Sequence, residues 1–291
     1  MRDLLLQALF SGVLVGAYYT LITLGLAIVF GAMKIINVVH GDLVLLGGFM
    51  AYVAEQKLHI NPVLAIPLSA IVVCIAAFVV YLLVSRIRED RELNSLMLTF
   101  GLAIIFSNLY LMTFSADIRS SNNAWFQQAV VIGDFLYSSR AQICTLVGGI
   151  AATVLVWLWL SRSRYGIAIR AVSSNREAAM LMGMNPRSAE LLSFLIAALL
   201  ATIAGAAVYT TAVIQPTIGF DITIKAFVIT VLAGLGSVPG IMLASMLIGV
   251  AEALTATFAS SALQDLIGFG LFLVVLVVRP AGLFGASGRE A

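Results

Sequence analysis

Apolar residues run in long unbroken blocks along this chain, and the polar interruptions are few enough to be located one by one. Stretches without Asp, Glu, Lys or Arg cover 4–33, 58–85, 93–116, 141–161, 191–220 and 226–251, each at or above the ~20 residues a helix needs to cross hydrocarbon. The period-two alternation of a membrane β-barrel is absent. The pattern predicts helices over 5–31, 42–56, 62–85, 93–114, 141–161, 190–214, 223–236, 240–258 and 262–278. The stretch 223–236 is short for a full crossing, so a re-entrant segment ending at Gly234-Leu235-Gly236-Ser237-Val238-Pro239-Gly240 is the alternative. The expected fold is an all-α membrane bundle of eight or nine crossings.

Composition fixes the solvent. With 62% hydrophobic and 10% charged residues over 291 positions, and a mean hydropathy of +1.08, the chain cannot hide its apolar surface in one soluble core. The first block is too long for a signal-peptide core and is expected to be a retained span. Cys74 and Cys144 lie singly inside apolar runs, which indicates neither a disulfide framework nor a metal site.

The net charge of +2 matters less than its placement. Arg86, Arg88 and Arg91 share one short loop, and Arg162, Arg164, Arg170, Arg176 and Arg187 share another. The positive-inside rule puts both loops in the cytoplasm. The polar stretch 115–140, with Asp117, Asn122, Asn123 and Asp134, then falls outside. Counting crossings places the N-terminus outside, and Arg279 and Arg289 place the tail inside.

One interruption stands out. In GLAIVFGAMKIINVVHGDLVLLGG, residues 25–48, the apolar run breaks at Lys34, Asn37, His40, Gly41 and Asp42 and then resumes. Polar groups flanked by lipid-soluble sequence need protein, water or each other as partners. Asn37, His40 and Asp42 either line a translocation path near its cytoplasmic mouth, or Asn37 and Asp42 cap helix ends while His40 satisfies a backbone carbonyl. The topology assigns this break to the cytoplasmic end of the first hairpin. Glu252 and Asp265 are the other acids flanked by apolar sequence. Asp265 falls near the start of the last span, whereas Glu252 lies well inside its helix, where a proton or amino-group partner is expected. Asn108 is expected to bond a neighbouring helix, and Gly12 with Gly16 form a small-residue face for close helix packing. GLAIVF at 25–30 returns as GLAIIF at 101–106 in a helix of opposite direction, a faint sign of an inverted repeat.

The largest cytoplasmic loop, about 162–190, contains a second pattern. Ser173, Ser174 and Asn175 offer an N-cap before Arg176-Glu177-Ala178-Ala179-Met180-Leu181-Met182, and Gly183 closes the turn. Met180, Leu181, Met182 and Met184 give this short helix an apolar face suited either to a protein partner or to lipid headgroups.

Catalytic kits are missing: the two histidines, His40 and His59, lie far apart, and neither HExxH nor GxSxG occurs. Lys34, Lys57 and Lys225 precede Ile, Leu and Ala, so there is no Walker A loop, and ATP-driven work needs another subunit. An ion-coupled secondary transporter, using the intramembrane acids, is the alternative class.

The break resembles the signature of the inner-membrane permeases of branched-chain amino acid ABC transporters, approximately GLxLxFGxMxxxNxAHGDxxMLG, departing from it at Val39. LMLTFGLAIIFSNL at 96–109, RYGIAIRAVSSNREAAMLMGMNP at 164–186, VLAGLGSVPGIMLASMLIGVAEAL at 231–254 and RPAGLFG at 279–285 match the same family in order. The resemblance implies a single transmembrane permease domain over 1–291 in a bacterial inner membrane. It implies no enzyme activity and no cofactor, with ATP bound by two cytoplasmic ATPase subunits. A second, homologous permease and a periplasmic substrate-binding protein complete the implied assembly, in contact with lipid and not with nucleic acid. Asn175, Arg176, Glu177, Ala178, Ala179 and Gly183 are similar to the loop with which importers dock on their ATPases. Within the match at 231–254, Gly234, Gly236, Pro239 and Gly240 are the structural break already read from the residues. Branched-chain amino acids are the implied substrates, with urea, amides and small aromatic acids as alternatives.

Overall fold

A computed structural model describes residues 1–87, 89–133, 136–234 and 236–285. Arg88, Asp134, Leu235 and Arg289, used above, lie outside them. Twelve α-helices follow one another among the described residues: α1 Arg2–Met33, α2 His40–Leu58, α3 Ile66–Val84, α4 Arg91–Phe114, α5 Ala124–Gln127, α6 Arg140–Arg162, α7 Arg164–Ser174, α8 Arg176–Leu181, α9 Pro186–Thr211, α10 Gly219–Ala233, α11 Val238–Phe258 and α12 Gln264–Val278. A small antiparallel hairpin, β1 Ala129–Ile132 and β2 Leu136–Ser139, precedes α6, with Ala129 opposite Ser139. Seven helical stretches are long and apolar enough to cross a membrane: α1, α3, α4, α6, α9, α11 and Ser261–Val278. The protein is a multi-pass, all-α membrane bundle.

Two ends can be distinguished by their chemistry. At one, Gln7 Nε2 donates to Tyr137 O (2.9 Å), tying the start of α1 to the hairpin. At the other, Ser173 Oγ donates to Gly31 O, tying the end of α1 to α7 beside the loop arginines. Between these ends α1 and α9 are buried for most of their length, while α4 and α12 lie mostly exposed at the rim. Gly12 and Gly16 of α1 seat α11, since a Cβ on either would run into the backbone of Val250 or Met246. Gly205 of α9 lies under α2 in the same way, against Val44 O and Gly48 N. With no hydrophobic drive between helices in lipid, such close approach is where packing energy is gained.

α2 and α10 are not ordinary crossings. After α1 the chain turns at Lys34, in the left-handed region (φ +54°), and residues 35–39 climb back along the bundle. The His40 ring donates from Nε2 to Ile22 O (2.8 Å), three turns before the end of α1. The break therefore starts with Lys34 at the arginine-rich end, where the charge pattern assigns it, and its His40–Asp42 part lies deeper, level with Ile22 of α1. α10 begins at the same depth from the opposite side. Beyond α9 the chain pairs with the outer stretch through Arg119 N to Ile214 O (2.9 Å) and Ile214 N to Arg119 O (2.8 Å), then descends. Ser107 Oγ donates to Pro216 O (3.1 Å), and Phe100, near the middle of α4, meets Phe220 edge-on at 6.0 Å.

A non-helical descent at 212–218 precedes α10, and α10 is itself the short segment that ends at the Gly234–Gly240 break. That later break is a turn between helices: Gly234 (φ +86°) ends α10, Pro239 opens α11, and Ser237 Oγ accepts from Gly240 N. The carbonyls left over at the end of α10 are taken by the tail, with Leu283 N donating to Leu232 O (2.8 Å) and Phe284 N to Ala233 O (3.1 Å). The inverted relation sought between 25–30 and 101–106 appears elsewhere: α1, break, α2 and α9, break, α10 run in opposite senses.

Candidate functional site

The two mid-depth helix starts meet. Thr223 Oγ1 accepts from Gly41 N (2.8 Å) and donates to Val38 O (2.8 Å), so one hydroxyl of α10 closes the open turn ahead of α2. A Cβ on Gly219 would strike the Asp42 carboxylate. That carboxylate therefore lies at the starts of both α2 and α10, where two helix dipoles favour negative charge. Tyr110 OH donates to Asp42 O (2.8 Å), and Thr99 Oγ1 accepts from Val38 N (3.2 Å). Asn37, His40 and Asp42 are all buried. Asn37 Oδ1, His40 Nδ1 and Asp42 Oδ2 make no hydrogen bond within the protein, and a buried water is the ordinary partner for such atoms.

Glu252, the acid singled out inside α11, is fully buried at 0% exposure. Tyr19 OH donates to its Oε2 (2.6 Å), and Lys225 Nζ stands 3.1 Å from Oε1, too oblique for a hydrogen bond but close enough for an ion pair. Lys225 also donates to Tyr19 OH (3.0 Å) and to Asp265 Oδ1 (2.7 Å). Glu252 and Asp265 thus share one ammonium group. A cavity of about 290 Å³ opens beside this cluster between α1, α10 and α12, lined among others by Thr23, Asp221, Lys225 and Asp265. Asn108 turns its amide to Ile104 O of its own helix (2.8 Å), and not to a neighbour.

The loop helix forms as its sequence requires. Asn175 Oδ1 accepts from Ala178 N (3.0 Å), and Gly183 (φ +79°) ends the turn. Ser173 and Ser174 instead end α7, whose own cap is Ser163. Ala179 faces the bundle, whereas Leu181 and Met182 are 89% and 78% exposed. Arg176, the first residue of α8, pairs with Glu190 Oε1 of α9, and Arg91 of α4 grips the same carboxylate through both amino groups, at 3.0 and 2.9 Å. One buried acid links α8 to two membrane helices. Beside it a cavity of about 490 Å³ is lined by Lys34, Arg91, Arg176, Arg187 and Glu190 among others.

The sequence gives no site role to Lys225, Asp221, Thr223, Glu190 or Arg91, and Arg91 enters there only as a loop charge. Lys225 carried a signal, as a cation between two apolar blocks whose flanking helices hold Glu252 and Asp265. The Glu190 pair has no local signal, because Arg91 is 99 residues away.

The sequence profile of the family described as branched-chain amino acid transport system, permease component, matches residues 8–276. The chain is 31% identical over 299 aligned positions to the high-affinity branched-chain amino acid transport system permease protein BraD of Pseudomonas aeruginosa, covering 96% of this chain and 95% of BraD. It is 29% identical to the corresponding protein LivH of Escherichia coli over 293 positions, with the same two coverages. A more distant relative, the probable branched-chain amino acid transport permease protein LivH of Methanocaldococcus jannaschii, is 23% identical over 93% of this chain and 89% of its own. Among solved structures, PsaBC from Streptococcus pneumoniae in complex with Fab shares the fold, with a TM-score of 0.53 at 15% identity over 96% of this chain and 92% of the solved one.

Proposed function

The chain belongs to the family of branched-chain amino acid transport system permease components, and from that premise we propose that it forms half of the translocation path of an ATP-binding-cassette importer for leucine, isoleucine and valine. The whole chain, 1–291, acts as one permease domain. It has no ATPase site of its own; nucleotide is bound by two cytoplasmic ATPase subunits, and a second permease and a periplasmic binding protein complete the assembly. The arginine-rich end faces the cytoplasm and the hairpin end the periplasm, which places the N-terminus outside and the tail inside.

The observation that carries this reading is the construction of α8. A short helix with an exposed Met-Leu-Met face is wasteful in water and well suited to docking on a partner. Its first residue, Arg176, is bound through Glu190 to α4 and α9. Closure of the ATPases pushes α8, Glu190 passes the displacement to the two spans, and α9 carries it through Gly205 to α2 and the mid-depth joint.

Affinity purification in mild detergent tests the assembly. The ATPase subunits co-purify, and leucine uptake by the reconstituted complex needs ATP and survives an ionophore. Recovery of this chain alone, with uptake that survives ATP depletion and is abolished by the ionophore, rejects the reading in favour of ion coupling. Leu181→Ser is expected to leave membrane abundance unchanged while reducing ATPase co-purification.

A further inference from the structure

The cavity between α1, α10 and α12 has more chemistry than a structural ion pair needs. Lys225 brings one positive charge, while Asp221, Asp265 and the adjacent Glu252 bring three negative ones. Asp221 is exposed although α10 starts level with the middle of α4, and Asp265 is 72% exposed. Ionisable groups at such depth do not face acyl chains, so this side of the bundle meets water or protein. Ile218, Ile222 and Phe269 add aliphatic and aromatic surface to the same cavity.

Thr23 supplies an independent sign. It lines the cavity and is fully buried, yet its Oγ1 has no hydrogen-bond partner. Most helical threonines elsewhere among the described residues return their hydroxyl to the carbonyl four residues back, as Thr20 does to Gly16 O (2.8 Å). Thr23 leaves its hydroxyl for whatever occupies the cavity.

We propose that this cavity is a binding station for a branched-chain amino acid on its way through the chain. The inference rests on the transport reading above and adds to it a site and the groups that read the substrate. The substrate ammonium sits between Asp221 and Asp265, its carboxylate meets Lys225 and the Thr23 hydroxyl, and its branched side chain lies on Ile218, Ile222 and Phe269. The volume, about 290 Å³, is at the small end of ligand pockets and accommodates one amino acid.

The test is radiolabelled leucine binding to the intact complex in nanodiscs without the binding protein, read beside leucine uptake in proteoliposomes with it. Thr23→Val keeps the shape and removes an unpaired hydroxyl, so its thermal stability is expected to hold or rise while leucine affinity falls roughly tenfold. Asp221→Asn is expected to weaken binding at least as much and to slow uptake with the complex still assembled. Ile222→Ala is expected to lower affinity for leucine more than for alanine. Unchanged leucine binding and uptake in both Thr23→Val and Asp221→Asn overturns the cavity assignment and leaves the transport reading standing. Absence of leucine uptake in the unaltered complex overturns the transport reading, and the substrate assignment with it.

Discussion

α2 and α10 both start at mid-depth, one beside the other, and differ in what their first turns face. The start of α2 is sealed: His40 and Asp42 are buried, Tyr110, Thr99 and Thr223 close over the backbone, and α9 packs on the turns that follow at Gly205. The start of α10 is open, with Asp221 exposed and Lys225 half-buried at the edge of a cavity. Similar helix termini therefore serve different ends. The sealed one anchors the break to the core, and the open one presents charge where a solute passes.

Substitutions should separate the two. The largest effect is expected from Gly205→Leu, whose side chain has no room against Val44 and Gly48; overpacking of about 3 kcal/mol or more should remove folded protein from the membrane, as immunoblotting would show. Thr223→Val takes away the hydroxyl joining the two starts and strands Gly41 N and Val38 O. A loss of about 2 kcal/mol is expected, seen as a lower melting temperature in detergent. Asp42→Ala removes the carboxylate from both helix starts and is expected to cost about 1 kcal/mol, lowering abundance and uptake together. Normal uptake at normal abundance in that variant contradicts the anchoring role. Asp221→Ala should move stability by no more than about 0.5 kcal/mol. Its uptake should nevertheless fall below that of Asp42→Ala once both are normalised to the amount of protein.

Much of the bundle was legible because lipid demands long apolar blocks. α6, observed as Arg140–Arg162, was expected at 141–161, and α4, Arg91–Phe114, at 93–114. The break before α2 was visible from Lys34, Asn37, His40 and Asp42, but its depth was not. Lys34 marks the end of α1, and nothing local tells that residues 35–39 return three turns to reach Ile22. The break before α10 was hidden more deeply, since Gln215, Pro216 and Thr217 have the composition of an external loop. α8 was legible from Asn175 and Gly183, while α7 was missed behind its arginines. The contacts that join regions, Arg91 with Glu190 and Lys225 with Tyr19, depend on packing between helices far apart in the chain and leave no periodic trace.

Of two helix starts at one depth, one is closed and the other lies on the aqueous path, a difference that thiol labelling reads out. In a background lacking Cys74 and Cys144, Val39→Cys and Asp221→Cys are exposed to a membrane-impermeant, charged methanethiosulfonate in the assembled transporter. Rapid labelling is expected at 221 and none at 39, where the side chain is fully buried. Labelling at 39 with protection of 221 from the reagent would contradict that difference.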